Sequence, residues 1–188
     1  LKRADSAMYQ SKKAGGNRFS FFDPKLQRIA DLHLQIERDI EHAIEKQELT
    51  AFFQPQFDQD NLLCGAEALI RWIHPNKGII PPNDFISIAE QSRVIHRLQD
   101  IILRKSCELI NQLNALNICP VGFTIAINIS ACQFDTDLEE SLCRVIKEFD
   151  LSPEYFKLEI TESMLMKDVD KIIERIKILK SKGFRFSI

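Results

Sequence analysis

TAFFQPQFDQDNLLCGAEALIRW, residues 50–72, holds two apolar stretches at 51–57 and 63–72, parted only by Asp58-Gln59-Asp60-Asn61. Aromatic and aliphatic enrichment makes both of them strands. A polar turn this tight cannot carry a crossover, so the pair runs antiparallel. Beyond Trp72 the pattern changes to alternation of strands and helices. Pro81-Pro82-Asn83 opens a helix that should run through about Leu98, and a second should run from about Asp100 to Asn114. A strand at 121–129, a helix from Asp137 to Phe149, a strand at 155–160 and a helix from Asp168 to Lys182 follow. A last strand opens at Phe184. Such alternation predicts right-handed βαβ units and an α/β fold with a parallel sheet or barrel. A closed eight-stranded barrel takes about 250 residues, so residues 51–188 supply roughly half of one.

Upstream, Ile29, Leu32, Ile36, Ile40 and Ile44 recur at three- and four-residue steps, an amphipathic helix ending near Lys46. It lacks Gly, Pro and Ser enrichment and should lead directly into the barrel segment. Before it, Ala4, Ala7, Met8 and Ser11 mark a short helix, which Gly15-Gly16 ends. Arg18 to Phe22 then reads as a strand. One helix and one strand cannot bury a core, so residues 1–24 read as the tail of a preceding domain, 25–49 as a connecting helix and 50–188 as the first half of the next. The alternating Phe184-Arg185-Phe186-Ser187-Ile188 ends without a turn, and the expectation is a cut inside a strand.

The charge is nearly balanced, 25 Lys+Arg against 27 Asp+Glu for a net of −2, which disfavours a basic nucleic-acid binder. Hydrophobic residues make up 45%, ordinary for a globular chain. No apolar run approaches the roughly 18 residues of a membrane span, and Leu1-Lys2-Arg3-Ala4-Asp5 is not followed by the apolar core of a signal peptide. No membrane contact by this segment is expected. Five cysteines, widely spaced and without CxxC, read as reduced core thiols of a cytoplasmic protein.

Three polar side chains stand where a βα fold places its chemistry. Glu67 lies inside the second strand, Asn128 closes the strand Ala126-Ile127-Asn128, and Glu159 sits near the end of Lys157-Leu158-Glu159-Ile160. A carboxylate in an apolar strand is costly to bury unless it is paired, hydrogen-bonded or bound to a cation. Three oxygen donors converging from separate strands would suit a hard cation such as Mg²⁺ or Mn²⁺. Each could instead pair with a Lys or Arg, or cap a loop. Arg71, four residues after Glu67, shares its strand face and could clamp a phosphate or bridge an acid. Gln54 before Pro55 could bond a base edge or simply end a strand. Ser130 and Gln133 could form a polar cluster with Asn128, or Ser130 could cap the turn. Glu162 could bond loop N–H groups or be solvated. No nucleophile–base pair is visible.

Taken together, Phe53-Gln54-Pro55, Glu67-Ala68-Leu69-Ile70-Arg71-Trp72, His74-Pro75, Gly78-Ile79-Ile80-Pro81, Phe85-Ile86-Ser87-Ile88-Ala89-Glu90, Asn128-Ile129-Ser130 and Leu158-Glu159-Ile160-Thr161-Glu162-Ser163 strongly resemble the EAL domain family. That family hydrolyses the bacterial second messenger cyclic di-GMP to a linear dinucleotide. Ala4 to Lys12 with Gly16-Asn17-Arg18 is similar to the end of a GGDEF (diguanylate cyclase) domain, too short a piece to carry cyclase activity. The resemblance implies a modified TIM (β/α)₈ barrel whose first strand runs against the others. It implies Glu67, Asn128 and Glu159 as metal ligands at the C-terminal mouth, Arg71 on a phosphate and Gln54 lining the substrate site. Glu162 would brace a mobile loop near the interface of a homodimer. Two Mg²⁺ or Mn²⁺ ions are implied, with Ca²⁺ inhibiting. The family's Asp-Asp-Phe-Gly, a lysine, a further metal-binding glutamate and a late glutamine all lie past Ile188, so this chain alone is expected to hydrolyse little or nothing. A degenerate EAL domain acting as a cyclic di-GMP receptor or interaction module is the alternative, and an unrelated metal-dependent barrel a third reading.

Overall fold

The computed structural model describes residues 24–134, 138–160 and 169–187. The expected helix and strand within residues 1–22, and Glu162, lie outside them. Helix α1 (Pro24–Glu45) leads into β1 (Leu49–Phe57), β2 (Leu63–His74) and a short β3 (Gly78–Ile80). Then come α2 (Ile86–Gln91), α3 (Ile95–Ala115), β4 (Thr124–Asn128), α4 (Leu138–Glu148), β5 (Phe156–Glu159), α5 (Val169–Ser181) and β6 (Arg185–Ser187). The six strands form one sheet in the order β1-β2-β4-β5-β6, with β3 paired to the end of β2. β1 runs antiparallel to β2, while β2, β4, β5 and β6 are parallel neighbours. This is the arc of a modified barrel with its first strand reversed.

The β1–β2 turn shows why the reversal occurs here. Asp58 Oδ1 accepts from the backbone N–H of both Asp60 and Leu62 at 2.9 Å, and Asn61 adopts a left-handed φ of 58° that Asn tolerates. The register shifts between Gln56 and Phe57, a bulge that bends the strand into the turn.

Period-2 alternation divides the sheet into two faces. Ala66, Ala68, Ile125, Ile127, Phe156 and Leu158 are buried beneath the helices, against Leu103, Cys107 and Ile110 of α3, Leu142 and Ile146 of α4, and Leu179 of α5. A second cluster joins Ile40 and Ala43 of α1 to Leu49, Ile70, Trp72, Phe85 and Leu98. Helix α1 is thus seated on the barrel's outer layer and does not stand free of it. The opposite face, the inside of the arc, carries the polar residues.

Two boundaries differ from the sequence reading. The helix expected from Pro81 to Leu98 is instead a 3₁₀ turn at Pro82–Asp84, the short α2, and a break before α3. Arg93 makes the break with a φ of 63°, and the Ser92 hydroxyl donates to Ile88 O at 2.8 Å, closing α2. Neither Gly nor Pro marks the spot, and packing of Val94, Ile95 and Leu98 into the second cluster sets the new axis. The strand expected at 121–129 begins only at Thr124. β3 had no expectation at all, being three residues before a Pro-Pro pair.

Candidate functional site

Strand register brings the three oxygen donors together. Glu67 on β2 is level with Ala126 on β4, and Asn128 lies two residues farther along that same face. Asn128 is level with Glu159 on β5, which is level with Ser187 on β6. The Asn128 Nδ2 donates to Glu67 Oε1 at 2.8 Å. The Ile129 N–H donates to Glu159 O at 2.9 Å, continuing the parallel ladder past the strand end and fixing the backbone beside Asn128. Glu67 and Asn128 are therefore in contact on the inner face, and Glu159 stands level with Asn128 on that face, at the C-terminal ends of β4 and β5.

Gln54 stands opposite Glu67 across the β1–β2 pair and is exposed. Arg71 shares the face with Glu67, and its Nη1 donates to Ile70 O at 2.9 Å while the guanidinium carbon lies 5.7 Å from the Phe52 ring centroid. Among the described residues no acid forms an ion pair with Arg71. Ser130 and Gln133 follow the capping reading: Gln133 Oε1 accepts from the Ser130 N–H at 2.8 Å and from its hydroxyl at 3.0 Å. Gln133 Nε2 donates in turn to the buried Gln99 of α3, tying the loop after Asn128 to the helix layer.

Two side chains at the site were not singled out by pattern. Ser187 donates to Glu159 Oε1 at 3.0 Å. Lys157 Nζ lies 3.5 Å from the same oxygen and donates to Gln56 Oε1 at 3.1 Å. Both were legible as inward positions, since period-2 spacing puts Lys157 on the face of Glu159 and Ser187 on the face of Arg185.

The donor set fits a hard divalent cation. It is all oxygen, two carboxylates and one amide, and it is half-buried or exposed, so water and substrate can complete a coordination shell. Donation from Asn128 Nδ2 to Glu67 leaves the amide Oδ1 as an acceptor for a cation. Among the described residues no group of three or more His, Cys, Asp or Glu is placed to hold a metal ion, and the set here counts two carboxylates with one amide.

Residues 37–188 match the EAL domain model, which is most of the chain. The chain belongs to the EAL domain family. Its relatives include the bifunctional diguanylate cyclase/cyclic di-GMP phosphodiesterase MucR of Pseudomonas aeruginosa, 33% identical over 187 residues, 98% of this chain and 27% of that protein. The cyclic di-GMP phosphodiesterase NbdA of the same species is 30% identical over all of this chain and 24% of its own length. A solved structure of the MucR phosphodiesterase in complex with c-di-GMP superposes with a TM-score of 0.74 at 31% identity, over 82% of this chain and 62% of that one. This EAL chain thus spans about a quarter of the length of the curated relatives it matches. No described helix is long and apolar enough to cross a membrane.

Proposed function

We propose that this chain is part of a cyclic di-GMP phosphodiesterase, which opens one phosphodiester of the cyclic dinucleotide to give linear pGpG in bacterial signal transduction. The observation that carries the reading is the convergence of Glu67, Asn128 and Glu159 from three strands onto one face of an EAL-family chain. In this reading those three side chains hold Mg²⁺ or Mn²⁺, two ions in the complete domain. When bound, such ions supply Lewis acidity toward a phosphodiester and water that ionises near neutral pH.

The chain's own residues bind and orient. Arg71, steadied by Phe52 and by the Ile70 carbonyl, presents its guanidinium to a phosphate oxygen. Gln54, exposed opposite Glu67, lines the path of the dinucleotide. By the same resemblance Glu162, outside the described residues, would brace a loop near the dimer interface. In the family resembled, an aspartate pair would complete the cation site, so in this reading turnover would draw on residues outside those described. The same reading takes residues 1–24 as the end of a GGDEF domain, 25–49 as the connecting helix and 50–188 as the first half of the EAL barrel, in a cytoplasmic homodimer.

The test is product analysis with the full-length protein, cyclic di-GMP and Mn²⁺. Formation of pGpG, abolished by Glu67→Ala and by chelation, supports the reading. Tight binding of the cyclic dinucleotide without turnover makes the domain a receptor and overturns it.

A further inference from the structure

Lys157 is the one cation that reaches the donor set through a described ion pair. It stands two residues before Glu159 on the inner face of β5, with its ammonium 3.5 Å from Glu159 Oε1. The same ammonium donates to Gln56 on β1, so the side chain reaches across β4 and β2. Level with Lys157 the inward residues are Ala126 on β4 and Glu67 on β2, while Gln56 is level with Gly65, one inward position earlier on β2. A Cβ on Gly65 would come 2.5 Å from Thr124 O, so the small residue is required there by the backbone. Ala126 is fully buried although it faces the inside of the arc, as a lysine stem laid across it requires. The Lys157 ammonium is thus held between Glu159 on its own strand and Gln56 on β1.

The charges have a consequence for cation binding. Glu67 and Glu159 bring two negative charges, and Lys157 cancels one of them before any ion arrives. The Glu159 Oε1 is already shared between the Lys157 ammonium and the Ser187 hydroxyl. We infer that Lys157 sets the affinity of this site: its fixed positive charge competes with a divalent cation for Glu159, so the site binds the ion weakly until an anionic phosphodiester adds its own charge. The inference rests on the metal-site reading above. A lysine that merely filled the barrel would leave cation affinity unchanged, and one that only positioned Glu159 would weaken binding when removed.

Titration of the full-length protein with Mn²⁺ alone, following free Mn²⁺ by electron paramagnetic resonance, separates these cases. Lys157→Met and Lys157→Gln should each bind Mn²⁺ about tenfold more tightly than wild type, and Lys157→Arg, which keeps the charge, should stay within about twofold. Circular dichroism checks that each variant is folded. Neutral variants that bind Mn²⁺ equally or more weakly overturn the inference while leaving the metal site standing. Glu67→Gln and Glu159→Gln that bind Mn²⁺ as wild type does overturn the metal-site reading itself.

Discussion

The contact between Asn128 and Glu67 joins two strands that are 61 residues apart in sequence. An amide is the right partner because it donates one hydrogen bond while keeping an oxygen free toward a cation. Asn128→Asp replaces that donor with a second carboxylate at 2.8 Å from Glu67. Like charges that close cannot both ionise comfortably, so the metal-free variant should lose about 1–3 kcal/mol of stability at neutral pH. Added Mn²⁺ should restore more stability to it than to wild type. Chemical unfolding in EDTA and then in Mn²⁺ measures both quantities. A variant as stable as wild type in EDTA would show that the two side chains do not meet in solution. Burial pushes the Cys107 thiol up to about 12 and raises Cys119 and Cys143 as well, which disfavours the reactive thiolate at all three.

Among the elements, α3 and α4 are clamped on the outside of the barrel by Arg104, whose Nε meets Asp100 at 2.8 Å and whose Nη1 meets Glu148 at 2.7 Å. The hydrogen bond from Arg104 holds the Glu148 carboxyl below the usual carboxylate range. A depressed carboxylate stabilises the fold above the ordinary range and loses that contribution as pH falls through its own titration. Thermal melts from about pH 6 down to about pH 3 should therefore show wild type losing more stability than Arg104→Ala. Identical slopes would remove the clamp from the account. The elements also show what was legible in the sequence. β1, β2, β4, β5, α4 and α5 fall within three residues of where periodicity put them, because each carries its own apolar rhythm. The α2–α3 break was not, since Arg93 takes its left-handed conformation from tertiary packing and not from a Gly or Pro signal. β3 exists only because β2 overruns β4 and offers it an edge. Glu67, Asn128 and Glu159 were visible as carboxyl and amide groups out of place in apolar strands. Their meeting was not, because it depends on inter-strand register. Lys157 was missed for the same reason: its partner Gln56 is 101 residues away.

On the scale of the whole molecule, the described sheet is an arc and not a closed ring. β1 and β6 each have a single strand neighbour, and Phe52, Phe57 and Ile79 are exposed at 43%, 60% and 56%. A closed barrel removes such edges, whereas an open one templates further pairing. The 188-residue chain alone should therefore self-associate or melt without a sharp transition, as sedimentation and calorimetry would show. A monomer with one cooperative transition would contradict this.

Glu67, Asn128 and Glu159, brought from three strands, should act as one cation site for a phosphodiester reaction. Residues that act as a unit are not additive. The most direct measurement is Mn²⁺-dependent cyclic di-GMP hydrolysis by the full-length protein as Glu67→Gln, Glu159→Gln and the double variant. Each single substitution should reduce turnover by about 10³-fold, and the double variant should fall no further than the worse single. Losses that multiply in the double variant, or wild-type turnover in either single variant, would contradict the account.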